Sequence, residues 1–126
     1  MKFSTKAEYG LKAMVNLAAA FPVQKNLQTI AREEKISVKY LERIIGELRK
    51  NKMLTSSKGK AGGYILAKNP KQITTGEIVE ILDGPIAPTK CALCGIENKC
   101  SSSLVWIKLG QEIKKTLDNI KLSDLI

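Results

Sequence analysis

Cys91, Cys94 and Cys100 are all the cysteines of this 126-residue chain, and they fall in one stretch, KCALCGIENKC, from Lys90 to Cys100. Thiolates are soft donors, suited to an iron–sulfur cluster or to zinc. The chain contains no histidine. A metal held by these three sulfurs must therefore complete its shell from a carboxylate, a hydroxyl, a partner chain or an exogenous ligand. Such a set is a poor permanent structural site. It suits a sensor, because oxygen, nitric oxide or iron shortage can act at an exchangeable fourth position. Zinc on the same three cysteines and a carboxylate would give a closed site without redox activity. Alternatively, Cys91 and Cys94 could form a dithiol switch, with Lys90 favouring the thiolate.

The elements that must position this stretch are set by charge and periodicity. Residues 1–68 carry 14 Lys and Arg against 5 Asp and Glu, whereas residues 69–126 carry 7 of each, so the net charge of +9 sits in the N-terminal half. A basic block of this kind marks a surface for a polyanion, of which nucleic acid is the commonest. With 44% hydrophobic residues the chain can bury one modest core. The longest apolar run, from about Ala13 to Phe21, is broken by Asn16 and is too short to span a bilayer. No secretory pattern opens the sequence, so the expected address is cytoplasmic, where clustered cysteines serve as metal ligands or redox groups rather than structural disulfides.

Ser4 or Thr5 can cap a first helix, and Thr5 with Glu8 has the spacing of a capping box. Ala7, Leu11, Met14, Val15 and Ala18 recur at helical spacing until Phe21-Pro22. A short second helix over Leu27, Ile30 and Ala31 ends near Glu34, and Ser37 can cap a third running from about Val38 to Lys50. In that third helix Leu41, Ile44, Ile45 and Leu48 form the inner face. Lys39, Tyr40, Arg43 and Lys50 lie on the other. Two helices joined by a three-residue turn, the second presenting basic residues, form a helix-turn-helix suited to a major groove. Met53–Ser56 and Tyr64–Ala67 then read as two strands of a hairpin whose turn, SKGKAGG, carries Lys58 and Lys60 toward phosphate or a minor groove. That hairpin would be the wing.

Thr74 or Thr75 caps a fourth helix, Gly76 to Leu82, which Asp83-Gly84-Pro85 ends. Beyond Cys100, a long helix extends to about Ile120, with Trp106, Leu109, Ile113, Leu117 and Ile120 in a narrow apolar stripe. A stripe of this kind serves for dimerisation or for packing on the chain's own core. The expected fold is mainly α with a small β-hairpin, a winged helix-turn-helix plus a long C-terminal dimerisation helix. Three functional segments follow: a DNA-binding domain at 1–83, a cysteine sensor loop at 84–100, and a dimerisation helix with its tail at 101–126.

The order of these parts resembles the bacterial IscR-like regulators, also called the Rrf2 family of winged-helix transcription factors. The likeness rests on MKFSTKAEYGLKAM, ISVKYLERIIGELRKNKML, SKGKAGGYILAK, ITTGEIVEILDG and the cysteine stretch followed by a long helix. It implies a homodimer swapped around the long helix and bound to a palindromic operator in double-stranded DNA, with the third helix in the major groove and the wing lysines near the minor groove. It also implies DNA contacts from Ser37, Lys39, Tyr40 and Arg43. The three cysteines would hold a 2Fe-2S or 4Fe-4S cluster whose state controls operator binding. Two features depart from the family pattern. Two residues, rather than about five, separate Cys91 from Cys94, and Ser103 stands where some members have a histidine. Other members take a fourth ligand from an acidic residue in the first helix of the partner subunit, and Glu8 matches that place; Glu97 is the lesser substitute.

A function of another class would be a small iron–sulfur electron carrier or a CxxC oxidoreductase. The sequence has no histidine, no phosphate loop and no paired catalytic carboxylates, and a carrier has no need of a basic half. The expectation is a regulator and not an enzyme.

Overall fold

The computed structural model describes residues 2–57, 62–89 and 101–126. Lys58, Lys60 and the three cysteines lie outside them. Among the described residues the chain forms five α-helices and one two-stranded antiparallel sheet: α1 (Thr5–Ala20), α2 (Leu27–Glu34), α3 (Val38–Lys50), β1 (Leu54–Ser57), β2 (Gly63–Leu66), α4 (Thr75–Asp83) and α5 (Ser103–Asp118). This is the winged-helix order. No helix among the described residues is long and apolar enough to cross a membrane.

Helix starts follow local hydrogen-bond chemistry. Side-chain oxygens of Ser4, Asn26, Ser37 and Thr74 accept from the backbone N–H groups of Ala7, Thr29, Tyr40 and Glu77 respectively, satisfying donors that the first turn leaves unpaired. The capping box expected of Thr5 and Glu8 does not form. Ser4 is extended, at φ −73° and ψ 158°, so Thr5 is already inside the helix. Lys35 ends α2 in the left-handed conformation, at φ 57°, and turns the chain into α3 within three residues.

The core is built from α1 to α4 and the two wing strands, with Leu122 from the C-terminal tail. Met14 and Leu17 of α1, Ile30 of α2, Leu41, Ile44, Ile45 and Leu48 of α3, Leu54 of β1 and Ile78 of α4 are all essentially inaccessible. On α1 the inner face is Ala7, Gly10, Ala13, Met14, Leu17 and Ala18, rotated slightly from the expected one. Leu11 and Val15 are only half-buried, because α3 and α4 both approach α1 on the side of its small residues.

The wing strands pair from Leu54↔Leu66 to Ser57↔Gly63, each segment displaced by one residue from the sequence expectation. Lys52, left-handed at φ 63°, delays the start of β1. A bridge between Lys25 and Tyr64, with N–H···O distances of 3.0 and 2.7 Å, ties β2 to the α1–α2 linker. Gly63 permits it, since a Cβ there would stand 2.5 Å from the Lys25 carbonyl oxygen.

Helix α5 lies on α4, and its tail returns to the core. Thr75 Oγ1 donates to the Leu117 carbonyl at 2.6 Å, Thr75 N–H to Ile120 at 2.8 Å, and Leu122 N–H to Ile73 at 3.0 Å. Leu122 is fully buried. The helix ends at Asp118, so Ile120 lies beyond it rather than on its stripe. That earlier end follows from the pairing of residues 120–122 with residues 73–75.

Candidate nucleic-acid interface and cysteine segment

Helix α3 divides its residues cleanly. Its buried side is apolar, while Ser37, Val38, Lys39, Glu42, Arg43, Arg49 and Lys50 are exposed. Lys39, Arg43 and Lys50 recur at spacings of four and seven, and so stand on one outward face. Cations in that arrangement can meet a phosphate backbone or base edges.

Tyr40 is half-buried rather than fully outward. Its ring meets Tyr9 of α1 edge to face, with centroids 5.8 Å apart and planes at 88°, and Lys12 Nζ stands 5.7 Å from the Tyr9 centroid. On the same flank of α3, Glu47 pairs with Lys6 of α1 at 3.2 Å. The other flank faces the wing, where Arg49 donates to Ser56 Oγ at 3.1 Å. The Ser57 hydroxyl donates to Gln24 Oε1, fastening β1 to the linker as well. Thus α1 and the wing hold α3 from opposite sides. Sequence reasoning missed Tyr9, Lys6, Glu47, Arg49 and Gln24. Tyr9 had a signal, because only three tyrosines occur in the chain and two of them meet here.

A polar clamp closes the back of this unit. Asn16 donates to Glu33 and Glu34 at 3.1 and 2.7 Å, and Lys25 pairs with Glu33. The Lys25 ammonium, and then the Asn16 amide, hold the Glu33 carboxyl below its ordinary pKa.

The residues leading to the cysteines are anchored to the start of α1. Ser4 N–H donates to Asp83 Oδ2 at 3.0 Å, and the Ser4 hydroxyl donates to Asp83 Oδ1. Pro88 packs against Gly110 of α5, where a Cβ would come 3.0 Å from the proline Cδ. Ahead of residue 90 the chain is thus tied to α1 through Asp83 and to α5 through Pro88. On α5, Lys114 pairs with Glu80 at 2.7 Å and Asp118 at 3.1 Å, and these carboxylates raise its pKa.

Glu8 is exposed on α1, and among the described residues its carboxylate makes no hydrogen bond or ion pair. It stands at the rim of a groove of about 1000 Å³ floored by Leu11, Val15, Ala19 and Leu125. It also borders a smaller apolar pocket with Phe3, Val79 and Leu117. The five expected stripe residues part company. Trp106 and Leu109 are 39% and 43% exposed, Ile113 and Ile120 are half-buried, and Leu117 lines that intrachain pocket. Exposed Leu104 and Val105 add to the open apolar surface. No group of three or more metal-ligating side chains occurs among the described residues. The donor set in the sequence, three thiolates with a carboxylate available on α1, fits an iron–sulfur cluster or zinc chemically.

Residues 3–126 match the model of the Rrf2 family, described as an iron-dependent transcriptional regulator. The chain is 35% identical over 126 residues to the HTH-type transcriptional regulator CymR of Bacillus subtilis, covering 99% of this chain and 89% of that protein. It is 33% identical over 132 aligned positions to the HTH-type transcriptional regulator IscR of Escherichia coli, covering all of this chain and 80% of that one. The solved structure of CymR (YrzC), the global cysteine regulator of B. subtilis, superposes with a TM-score of 0.86, covering 99% of this chain and 95% of that one. IscR from T. potens superposes at 0.84 with 36% identity, covering 99% and 85%.

Proposed function

The chain belongs to the Rrf2 family of transcriptional regulators, and from that premise we propose that it binds a palindromic operator as a homodimer under the control of an iron–sulfur cluster held by Cys91, Cys94 and Cys100. The observation that carries the DNA half is the division of α3, with four apolar residues sealed in the core and Lys39, Arg43 and Lys50 on the open face. In this reading α3 enters the major groove. Ser37, Lys39, Tyr40 and Arg43 face bases and adjoining phosphates, Lys50 meets the backbone, and Lys58 and Lys60 on the wing add phosphate contacts. The exposed Trp106 and Leu109, with Ile113, would pair two copies. Leu117 and Ile120 lie where they would buttress that surface from within the subunit.

The family description as iron-dependent supports the cofactor assignment, and three clustered cysteines supply its donors. Bound there, the cluster supplies redox chemistry and an exchangeable ligand position. Glu8 of the partner subunit is the proposed fourth ligand, supported by a carboxylate on α1 that neither caps the helix nor pairs with a described residue. Residues 84–89 transmit the state of residues 90–100 through Asp83 to Ser4 at the start of α1, and α1 carries Lys6 and Tyr9 against α3. The segments 1–83, 84–100 and 101–126 are then a reader, a sensor and a dimerising arm, the last returning Leu122 to the core of the first. In this reading the protein works in the cytoplasm, where a transcriptional regulator meets its operator.

Anaerobic reconstitution with iron and sulfide tests the cofactor. A coloured protein with matching iron and sulfide content is expected, and a colourless, zinc-containing protein would overturn the assignment. Affinity for operator duplex should fall with salt with a slope near −0.9 per phosphate neutralised. A second reading is a thiol-responsive regulator, favoured by the two-residue spacing of Cys91 and Cys94 and by the likeness to a global cysteine regulator. It requires DNA affinity to follow oxidation of the pair in metal-free protein.

A further inference from the structure

Val38 is the apolar residue of α3 that the core does not take. Leu41, Ile44, Ile45 and Leu48 are at most 1% exposed, whereas Val38 is 42% exposed. It is the first residue of the helix, directly after the cap Ser37, and its neighbours Lys39 and, one turn on, Glu42 are exposed. Helix preference does not account for a valine there, because β-branching costs rotamer freedom on a helix.

Its direction follows from helical spacing. Residues eleven apart nearly eclipse, so Val38 lies on the flank of Arg49, which bonds to Ser56 of the wing. The opposite flank, with Tyr40 and Glu47, is the one α1 covers. Val38 is thus on the flank away from α1, and with 42% of its surface open it presents an apolar side chain in the first turn of the reading helix. First-turn residues of such helices reach base edges, and the one apolar group that a base pair presents in the major groove is the C5-methyl of thymine.

We propose that Val38 is a specificity-determining residue that packs its methyl groups against the C5-methyl of a thymine in each half-site. The inference rests on the reading that α3 enters the major groove. It adds an apolar contact to a surface otherwise read by charge and hydrogen bonding. Because Val38 is exposed, Val38→Ala removes the contact without opening the core.

The test uses the full chain and a duplex selected by it from a random pool, with each thymine replaced in turn by deoxyuridine, which lacks only the methyl. Wild type should lose affinity about four-fold per half-site at one thymine position, the ratio that burial of one methyl group supplies. Val38→Ala, with an unchanged thermal melt, should bind the thymine and uracil duplexes equally. Equal binding of every duplex by wild type, or the same uracil loss in Val38→Ala as in wild type, overturns the inference. Tyr40→Ala and Arg43→Ala on the same duplexes separate the two levels. If they lose preference for the selected duplex over a random one while the uracil scan is flat, only Val38 is misassigned. If no variant alters that preference, the placement of α3 in the groove fails and this inference with it.

Discussion

Gly46 sits in the interior of α3, on the face that carries Lys39, Arg43 and Lys50, and a Cβ added there meets no atom within 4 Å. Nor is its φ positive, so alanine fits its backbone. Gly46→Ala should therefore show helix propensity alone, a stabilisation of about 0.8–1.0 kcal/mol. With a urea m-value of about 2 kcal/mol/M for a chain of this size, the midpoint should rise by roughly 0.5 M. The melting temperature should rise by about 3 °C. Urea and thermal titrations at equal protein concentration measure both, since a dimer's midpoint depends on concentration. A lower midpoint would mean that something covers this face in the folded protein. The division of α3 into a sealed side and an open reading side would then be wrong, and its placement in a groove would fall with it.

Tyr9→Phe should keep operator preference, because the ring edge against Tyr40 remains, whereas Tyr9→Ala should lose about 1 kcal/mol of stability and part of that preference. Competition between operator and random duplex measures this, and an undiminished preference in Tyr9→Ala would remove Tyr9 as a positioning residue. Replacing both Trp106 and Leu109 by alanine should weaken dimerisation by about ten-fold or more, read by sedimentation. A dimer of wild-type strength would place the interface elsewhere. Glu33 has a folded pKa below its ordinary 4.5, so the clamp with Lys25 contributes fully above that value and is lost as pH falls through the folded one. Glu33→Gln should flatten the acid limb of stability against pH and leave the neutral region level; an unaltered acid limb would show that the clamp adds nothing.

Helix α3 was legible to its ends because its signals are local. Ser37 is a good cap, the apolar residues keep helical spacing, and the basic residues take the remaining face. The hairpin was legible to within one residue at each strand, and the cap of α4 only as Thr74 or Thr75, of which the fold uses Thr74. Legibility failed where two residues compete for one role. Ser4 and Thr5 are equivalent caps in sequence, and contact with Asp83, 79 positions away, accompanies the choice of Ser4. Leu11 and Val15 carry the same helical period as Met14, yet they border a groove because the neighbouring helices press on Gly10 and Ala13. The stripe on the last helix was visible, but not that Leu117 would be drawn into an intrachain pocket.

By itself, then, the sequence determined what each segment is: helix, wing, basic half, and a stretch with three thiols and no histidine. Those properties depend on neighbours within a turn or two and on side-chain chemistry. Tertiary structure alone decided how the segments act on one another. It set Tyr9 against Tyr40, Lys6 against Glu47, Pro88 against Gly110 and Leu122 in the shared core. Such contacts join residues far apart along the chain, where shape and packing of the whole core, rather than local preference, select the partner.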